Sequence, residues 1–236
     1  MRVKQQFSRF AKSYETYSTI QQKGAKLLAK HLPKDIGVVA DLGSGSGNLY
    51  KEIKRANIKF STYYCIDFSK EMLKLHPKEK NVKFIVGDFN DILLFNKLKA
   101  LNLDTILSAS ALQWAKDLDF TISKCANAAP FGAFFIFSSN TFKTLHQVAN
   151  LKSPIHSKEK ILKTFNRYYK NLVIKEYNFN LEFSNTLQML RYIKKSGVSG
   201  GVRNLGYKEI KDLINKYPLN YLEFETLLIL GERKWR

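Results

Sequence analysis

The chain has 236 residues, of which 44% are hydrophobic, and it carries a formal net charge of +19. This length suits a single domain, 1–236, with a substantial core. The N-terminal residues lack the apolar segment of a secretory signal, and no apolar run is long enough to span a bilayer, so we expect a cytoplasmic protein. The spacing of Cys65 and Cys125 fits no zinc or redox motif, so we expect two buried thiols and no metal site.

The positive charge has two possible explanations. A basic surface can bind nucleic acid, an anionic membrane or an acidic protein. Alternatively, the charge reflects composition alone, because lysine, asparagine, isoleucine, phenylalanine and tyrosine are all abundant, as in proteins from AT-rich genomes. The charge by itself leaves both explanations open.

Residues 2–32 precede the first predicted strand and have the periodicity of two helices. Apolar residues recur at steps of three and four up to Tyr17, and Pro33 ends the second helix. We therefore expect residues 1–34 to form an N-terminal helical cap. Its aromatic residues could simply pack on the sheet, whereas the polar tip of Tyr14 could reach a bound ligand.

A short apolar run, Val38 to Leu42, contains Asp41 and is followed by glycines at positions 43, 45 and 47. This pattern predicts a buried strand, a tight turn and a helix from Asn48. Glycines allow the sharp turn and the close approach of a ligand to the backbone. A dinucleotide fingerprint would need glycine at position 48, and the Asp41 carboxylate would repel a pyrophosphate. The acid instead suits a ligand with a cationic end.

Two further acids end the next predicted strands. Asp67 follows strand 61–66, twenty residues after Gly47, where a carboxylate can accept hydrogen bonds from both ribose hydroxyls. The alternative role for Asp67 is to cap the next helix. Asp88 and Phe89 follow strand Val82–Val86, and a solvated turn is the alternative there. Because parallel strands end at one edge of a sheet, these groups should converge on one crevice.

The pattern Asp41-x-Gly43-x-Gly45-x-Gly47 resembles the first motif of the class I S-adenosylmethionine-dependent methyltransferases. The resemblance implies an α/β, Rossmann-like fold with a seven-stranded, mostly parallel sheet, an antiparallel last strand and helices on both faces. It also implies S-adenosylmethionine as the cofactor. Met72 would lie beside the adenine, unless it only packs in the core. The cofactor contacts that the resemblance implies are Asp41, Gly43, Gly45, Gly47, Asp67, Phe68, Met72, Asp88, Phe89 and Ser108.

A fourth predicted strand, about Leu103 to Leu107, ends in the turn Ser108 to Trp114. This turn lacks the Asn/Asp-Pro-Pro-aromatic sequence of enzymes that methylate base amino groups. Its Ala-Leu-Gln-Trp sequence resembles two families of carboxylate O-methyltransferases, which act on malonyl-carrier protein and on trans-aconitate. The resemblance implies that Gln113 and Trp114 line the methyl-transfer pocket. Simple burial would also explain Trp114.

Three further stretches, 7–22, 144–148 and 190–197, resemble the malonyl-[acyl-carrier protein] O-methyltransferases of biotin synthesis. That family transfers a methyl group to the free carboxylate of malonyl-acyl carrier protein. A carboxylate is ionised at neutral pH, so the reaction needs no general base. The resemblance places Tyr14 over the site and makes Arg191 or Lys194 a candidate to hold the malonyl carboxylate. A surface salt bridge is the alternative for Arg191.

Residues 143–171 form a predicted helical insert after a fifth predicted strand, Ala133 to Phe137, and we expect this insert to cover the substrate. Acyl carrier proteins are acidic, so the basic face of this insert could dock one, although a solvated helix face is the alternative. We expect a monomer without membrane association. Three other functions remain open: a trans-aconitate-type methyltransferase, a nucleic-acid methyltransferase and a non-catalytic cofactor-binding module. The basic residues of the insert are Lys158, Lys160, Lys163, Arg167 and Lys170.

Overall fold

The computed structural model describes residues 17–195 and 206–234. Residues 1–16, which hold Tyr14 and all of the first predicted N-terminal helix except its end at Tyr17, lie outside the described residues, and so does the side chain of Lys194. In the part of the chain that is described, no helix combines the length and the apolar character needed to cross a membrane.

The core of the protein is a seven-stranded sheet with the order β3-β2-β1-β4-β5-β7-β6. Strands β1 to β5 pair in parallel, and β7 lies antiparallel between β5 and β6. This arrangement confirms the predicted, mostly parallel sheet with an antiparallel last strand. The strands are β1 Val38–Leu42, β2 Thr62–Asp67, β3 Val82–Val86, β4 Thr105–Ala109, β5 Phe131–Phe137, β6 Tyr169–Glu182 and β7 Tyr221–Arg233.

Helices connect the strands and cover both faces of the sheet, as predicted. Side chains alternate between the faces along each strand, so each face has its own apolar core. The core on the first face includes Tyr50 and Phe135 and is formed with helices α1, α2, α8 and α9. The core on the second face includes Phe95 and Phe165 and is formed with helices α4, α5 and α7. The helices are α1 Thr19–His31, α2 Asn48–Arg55, α3 Lys70–Leu75, α4 Ile92–Lys99, α5 Leu118–Ala128, α6 Lys143–Val148, α7 Lys158–Tyr168, α8 Thr186–Lys195 and α9 Tyr207–Lys216.

Helix α1 is the described part of the predicted N-terminal cap. It packs on the first face of the sheet, where Gly24 lies so close to the Phe135 ring that an added Cβ would be 2.4 Å from it. Gln21 and Ala25 of this helix line a small pocket together with the glycine turn after β1. The cap therefore reaches the carboxyl edge of the sheet on one side.

The predicted insert 143–171 divides between the two faces. The short α6 lies on the first face, and the loop after it crosses the carboxyl ends of β4 and β5, where the ring Nε2 of His156 is 2.7 Å from the carbonyl oxygen of Ala115. Helix α7 instead packs on the second face, with Ile161 and Phe165 fully buried. Residues 169–171, including Lys170, belong to the start of β6 rather than to a helix. The prediction that the insert covers the substrate therefore applies to α6 and its loop and not to α7, because α7 is part of the core.

Candidate functional site

The turn after β1 is built from glycines with left-handed backbone conformations. Gly43, Gly45 and Gly47 have φ angles of 71°, 55° and 87°, which residues other than glycine rarely adopt. A Cβ on Gly43 would lie 2.3 Å from the Cβ of Ala111, so the turn packs tightly against the loop after β4. Protein atoms likewise lie where a Cβ on Gly47 would be, whereas Gly43 and Gly45 line a small pocket, so the close approach of a ligand to this turn stays a prediction.

Asp41 lies beneath this turn and is 1% exposed. Its Oδ2 accepts a hydrogen bond of 2.9 Å from the hydroxyl of Tyr63 on β2, whereas Oδ1 is buried and has no partner among the described residues. The pKa of Asp41 is raised to about 7, mainly by burial; the nearby Asp67 adds to this rise and the Tyr63 hydrogen bond opposes it. An unpaired, buried carboxylate oxygen is costly unless a ligand donates to it or carries a positive charge.

Asp67 joins the end of β2 to the glycine turn. Its Oδ2 accepts from the backbone N–H of Gly45 at 3.1 Å and its Oδ1 from that of Ser69 at 2.8 Å. Burial raises the pKa of Asp67 to about 6, against these hydrogen bonds, and the Asp88 carboxylate adds to the rise. Asp41 thus lies near Asp67, and Asp67 lies near Asp88, as expected where neighbouring strands end at one edge of the sheet. A carboxylate has about four acceptor positions, so Asp67 can still accept from a ligand.

The remaining predicted cofactor contacts lie around these acids. Met72 is buried, and its Cε would be 3.2 Å from a Cβ on Gly45, so it lies against the glycine turn. Phe68 is half-buried beside Asp67. Phe89 is 6% exposed and packs into the core of the second face. Ser108 donates to the carbonyl of Leu42 at 2.8 Å, which joins β4 to β1.

The loop after β4 holds several polar atoms without partners. Ser110 has a φ of 66°, which is unusual outside glycine, and its buried Oγ has no hydrogen bond within residues 17–195 and 206–234. Gln113 donates to the Ser110 carbonyl at 2.7 Å, which leaves its Oε1 unpaired. The indole Nε1 of Trp114 is likewise buried and unpaired there. Strain and unpaired polar atoms are typical of a binding site.

Two acids of β7 hold the segment that precedes and begins α6. Glu225 accepts from the Ser138 hydroxyl and, at 3.0 Å, from the amide of Asn140. Glu223 accepts from the Thr144 hydroxyl, and its second oxygen is buried. The antiparallel last strand thereby fixes residues 138–144 at the end of β5, where the sequence predicts a substrate cover.

Most of the basic residues that were predicted to contact the substrate or its carrier are exposed or already paired within the protein. Arg191 is exposed on α8. In the basic face of the insert, Lys158 pairs with Glu176, and Arg167 pairs with Asp119 at 2.6 Å, so both already have intramolecular partners. Lys160 and Lys163 are exposed on α7, and Lys170 is half-buried.

Sequence reasoning missed several polar groups of the crevice. Gln21 and Ser46 line the pocket with Asp41. Ser110 lies in the loop after β4, and Tyr63 donates a hydrogen bond to Asp41 from β2. The serines between the glycines are a usable signal, because polar residues beside a ligand-binding turn often face the ligand. Tyr63 carries no such signal, since its pattern is that of a buried strand residue.

The crevice as a whole fits S-adenosylmethionine. Unpaired acceptors at the glycine turn suit a ligand with a cationic end, and the acid at the end of β2 suits ribose hydroxyls. Several buried polar atoms that have no partner among the described residues lie where α1, the glycine turn and the loop after β4 meet. They are Gln21 Oε1, Asp41 Oδ1, Ser44 Oγ, Ser46 Oγ, Ser110 Oγ, Gln113 Oε1 and Trp114 Nε1.

Known proteins share both this sequence pattern and this architecture. The chain is 23% identical over 229 residues to the malonyl-[acyl-carrier protein] O-methyltransferase of Acinetobacter baylyi, a match that covers 92% of this chain and 88% of that protein. It is 26% identical over 205 residues to the protein of the same name from Bacteroides thetaiotaomicron, over 81% of this chain and 76% of that one. A methyltransferase of Haloferax volcanii, solved in complex with the Trm112 methyltransferase activator, superposes with a TM-score of 0.61 at 18% identity, over 99% and 98% of the two chains. The sequence pattern of the methyltransferase domain matches residues 34–197, well over half of the chain, which therefore belongs to the methyltransferase domain family.

Proposed function

We propose that this methyltransferase transfers the methyl group of S-adenosylmethionine to the free carboxylate of malonyl-acyl carrier protein. The product is the methyl ester with which pimeloyl and biotin synthesis begins. The relatives with that name support the acceptor. The observation that carries the proposal is that one crevice holds both acceptors and a donor that have no hydrogen-bond partner among the described residues. Unpaired acceptors lie at the glycine turn, and the unpaired Nε1–H of Trp114, which can only donate, lies in the loop after β4.

The cofactor, when bound, supplies a methyl group on a positively charged sulfur. Asp67 would hold its ribose and Asp41 its cationic end, while Asp88 and Met72 would lie near the adenine. The donors of Trp114 and Ser110 would orient the acceptor carboxylate. Because that carboxylate is already ionised, the residues only align the reacting atoms and exclude water.

The neutralisation of charge gives the protein a second means of acceleration. A carboxylate and a sulfonium become an ester and a neutral sulfide, so a dry crevice favours the reaction. The buried loop after β4 and the cover segment on α6 would exclude water. Arg191 and Lys194 on α8 remain proposed contacts for incoming malonate.

The decisive experiment compares acceptors. Purified protein is given S-adenosylmethionine with malonyl-carrier protein, malonyl-CoA or free trans-aconitate, and kcat/KM is measured for each. We expect the highest value for the carrier-bound malonyl group. Efficient methylation of trans-aconitate with little transfer to malonyl-carrier protein would instead assign a small-molecule carboxylate methyltransferase.

A further inference from the structure

Tyr63 lies on β2, beside the buried Asp41. It is fully buried on the first face of the sheet, two residues before Cys65, the register partner of Asp41. The Tyr50 and Phe60 rings lie against it, with centroids 5.2 and 5.3 Å from its own. These contacts hold the Tyr63 hydroxyl 2.9 Å from Asp41 Oδ2.

The hydrogen bond uses one carboxylate oxygen and leaves the other for a ligand. Asp41 lines the small pocket formed by α1 and the glycine turn, and its Oδ1 is the oxygen without a partner among the described residues. Tyr63 approaches from β2, on the core side. The orientation of the carboxylate toward the pocket therefore depends on a residue that does not line the pocket.

Among the residues that the structure describes, the other groups around Asp41 do not stabilise its ionised form. Asp67 on β2 repels it, and Cys65 is a neutral thiol whose pKa is raised by burial and by Asp41. On the β4 side, the Ser108 hydroxyl is committed to the Leu42 carbonyl, and α1 contributes the neutral amide of Gln21. Tyr63 is thus the side chain that donates to the buried carboxylate and opposes the effect of burial.

We propose that Tyr63 is a positioning residue for the cationic end of the cofactor: it orients Asp41 and keeps its carboxyl group ionised near neutral pH. This inference rests on the proposed methyl donor. It predicts that cofactor affinity depends on pH through Asp41, and that Tyr63 sets where this dependence falls.

The test measures binding of S-adenosylmethionine and S-adenosylhomocysteine by calorimetry from pH 6 to 9, in the wild type and in Tyr63→Phe. Losing one hydrogen bond to a charged group should move the midpoint of the pH profile up by about one unit. Affinity at pH 7 then falls about five-fold and recovers toward the wild-type value at pH 9. The ligands are the same in both titrations, so the difference between the profiles belongs to the protein.

Tyr50→Phe is the matched control, because it removes a hydroxyl from the same aromatic cluster without a hydrogen bond to Asp41. Its pH profile should coincide with that of the wild type. In an Asp41→Asn background, Tyr63→Phe should no longer change affinity. If Tyr63→Phe does not fold, 3-fluorotyrosine at position 63 keeps the ring and is a stronger donor, and it should move the midpoint downward.

A uniform loss of affinity at every pH in Tyr63→Phe would overturn the inference and assign Tyr63 to packing alone. An unchanged profile with 3-fluorotyrosine would overturn it as well. Failure of the wild type to bind either ligand at any pH would instead refute the proposed methyl donor.

Discussion

At the scale of single residues, the crevice combines groups that are unfavourable in the protein alone. Asp41 is buried with one unpaired oxygen, and Ser110 has a left-handed backbone conformation and an unpaired hydroxyl. Neither feature stabilises the fold, and both lie at the carboxyl edge of the sheet. Such residues are explained by a ligand that completes their hydrogen bonds.

Gly43→Ala tests the close contact between the glycine turn and the loop after β4. The new Cβ would lie 2.3 Å from that of Ala111, and the φ of 71° is strained for alanine, so we expect a loss of roughly 1–3 kcal/mol in thermal denaturation. The double variant Gly43→Ala/Ala111→Gly removes the clash but keeps the strained φ, and it should regain part of the loss. Wild-type stability in the single variant would contradict this packing.

Asp67→Ala tests the ribose contact. We expect cofactor binding to fall below detection in calorimetry, because the variant lacks the proposed acceptor and a link to the glycine turn. Asp91→Ala is the control, since Asp91 also accepts from the N–H two residues ahead but caps α4 away from the glycines. It should cost about 1 kcal/mol of stability and leave affinity unchanged. Normal affinity in Asp67→Ala would make the ribose assignment wrong.

At the scale of elements, the region between β5 and β6 performs two tasks. Helix α6 and its loop cross the carboxyl ends of the strands, and Glu223 and Glu225 of β7 hold this segment in place. Helix α7 closes the second core instead, because Ile161 and Phe165 form an apolar face that must be buried.

Phe165→Ala tests the core role of α7. Removing a fully buried ring should lower the free energy of unfolding by about 3–5 kcal/mol, measured by denaturant titration. Lys163→Ala on the exposed side of the same helix should change it by less than about 0.5 kcal/mol. Similar small effects from both variants would contradict a core helix and favour a mobile cover.

At the scale of the whole molecule, charge sets the response to pH and to partners. The positive charges that make up the net charge of +19 repel one another. The buried acids Asp41 and Asp67, whose pKa values are raised, lie at one edge of the sheet.

Apoprotein stability should fall as pH rises from about 4 to 7. Asp41 and Asp67 have folded-state pKa values of about 7 and 6, above the usual 3.8, so in this window the folded state binds more protons than the unfolded state. Thermal denaturation across this range measures the contribution as the difference between the wild type and Asp41→Asn/Asp67→Asn, whose stability should vary less. A decline of equal slope in both proteins would show that other groups dominate.

Docking of an acidic carrier protein should depend on the exposed lysines of α7. We expect Lys160→Glu/Lys163→Glu to raise the KM for malonyl-carrier protein about ten-fold at low salt, with little change for a small malonyl thioester. Lys97→Glu/Lys99→Glu changes the net charge equally at the end of α4, near the amino edge of the sheet, and should have a small effect. Equal effects on both substrates would refute docking at α7.

The seven-stranded sheet was expected from the family resemblance, whereas the sequence by itself determined the first strands, the glycine turn and the acids at three strand ends. Those features follow from local periodicity and turn chemistry, together with the rule that parallel strands end at one edge. Only the tertiary structure decided that Tyr63 donates to Asp41, that Gly43 meets Ala111 and that α7 belongs to the core. These contacts join residues that are distant along the chain, and packing of the whole fold selects them, because no local pattern encodes which buried side chains will meet.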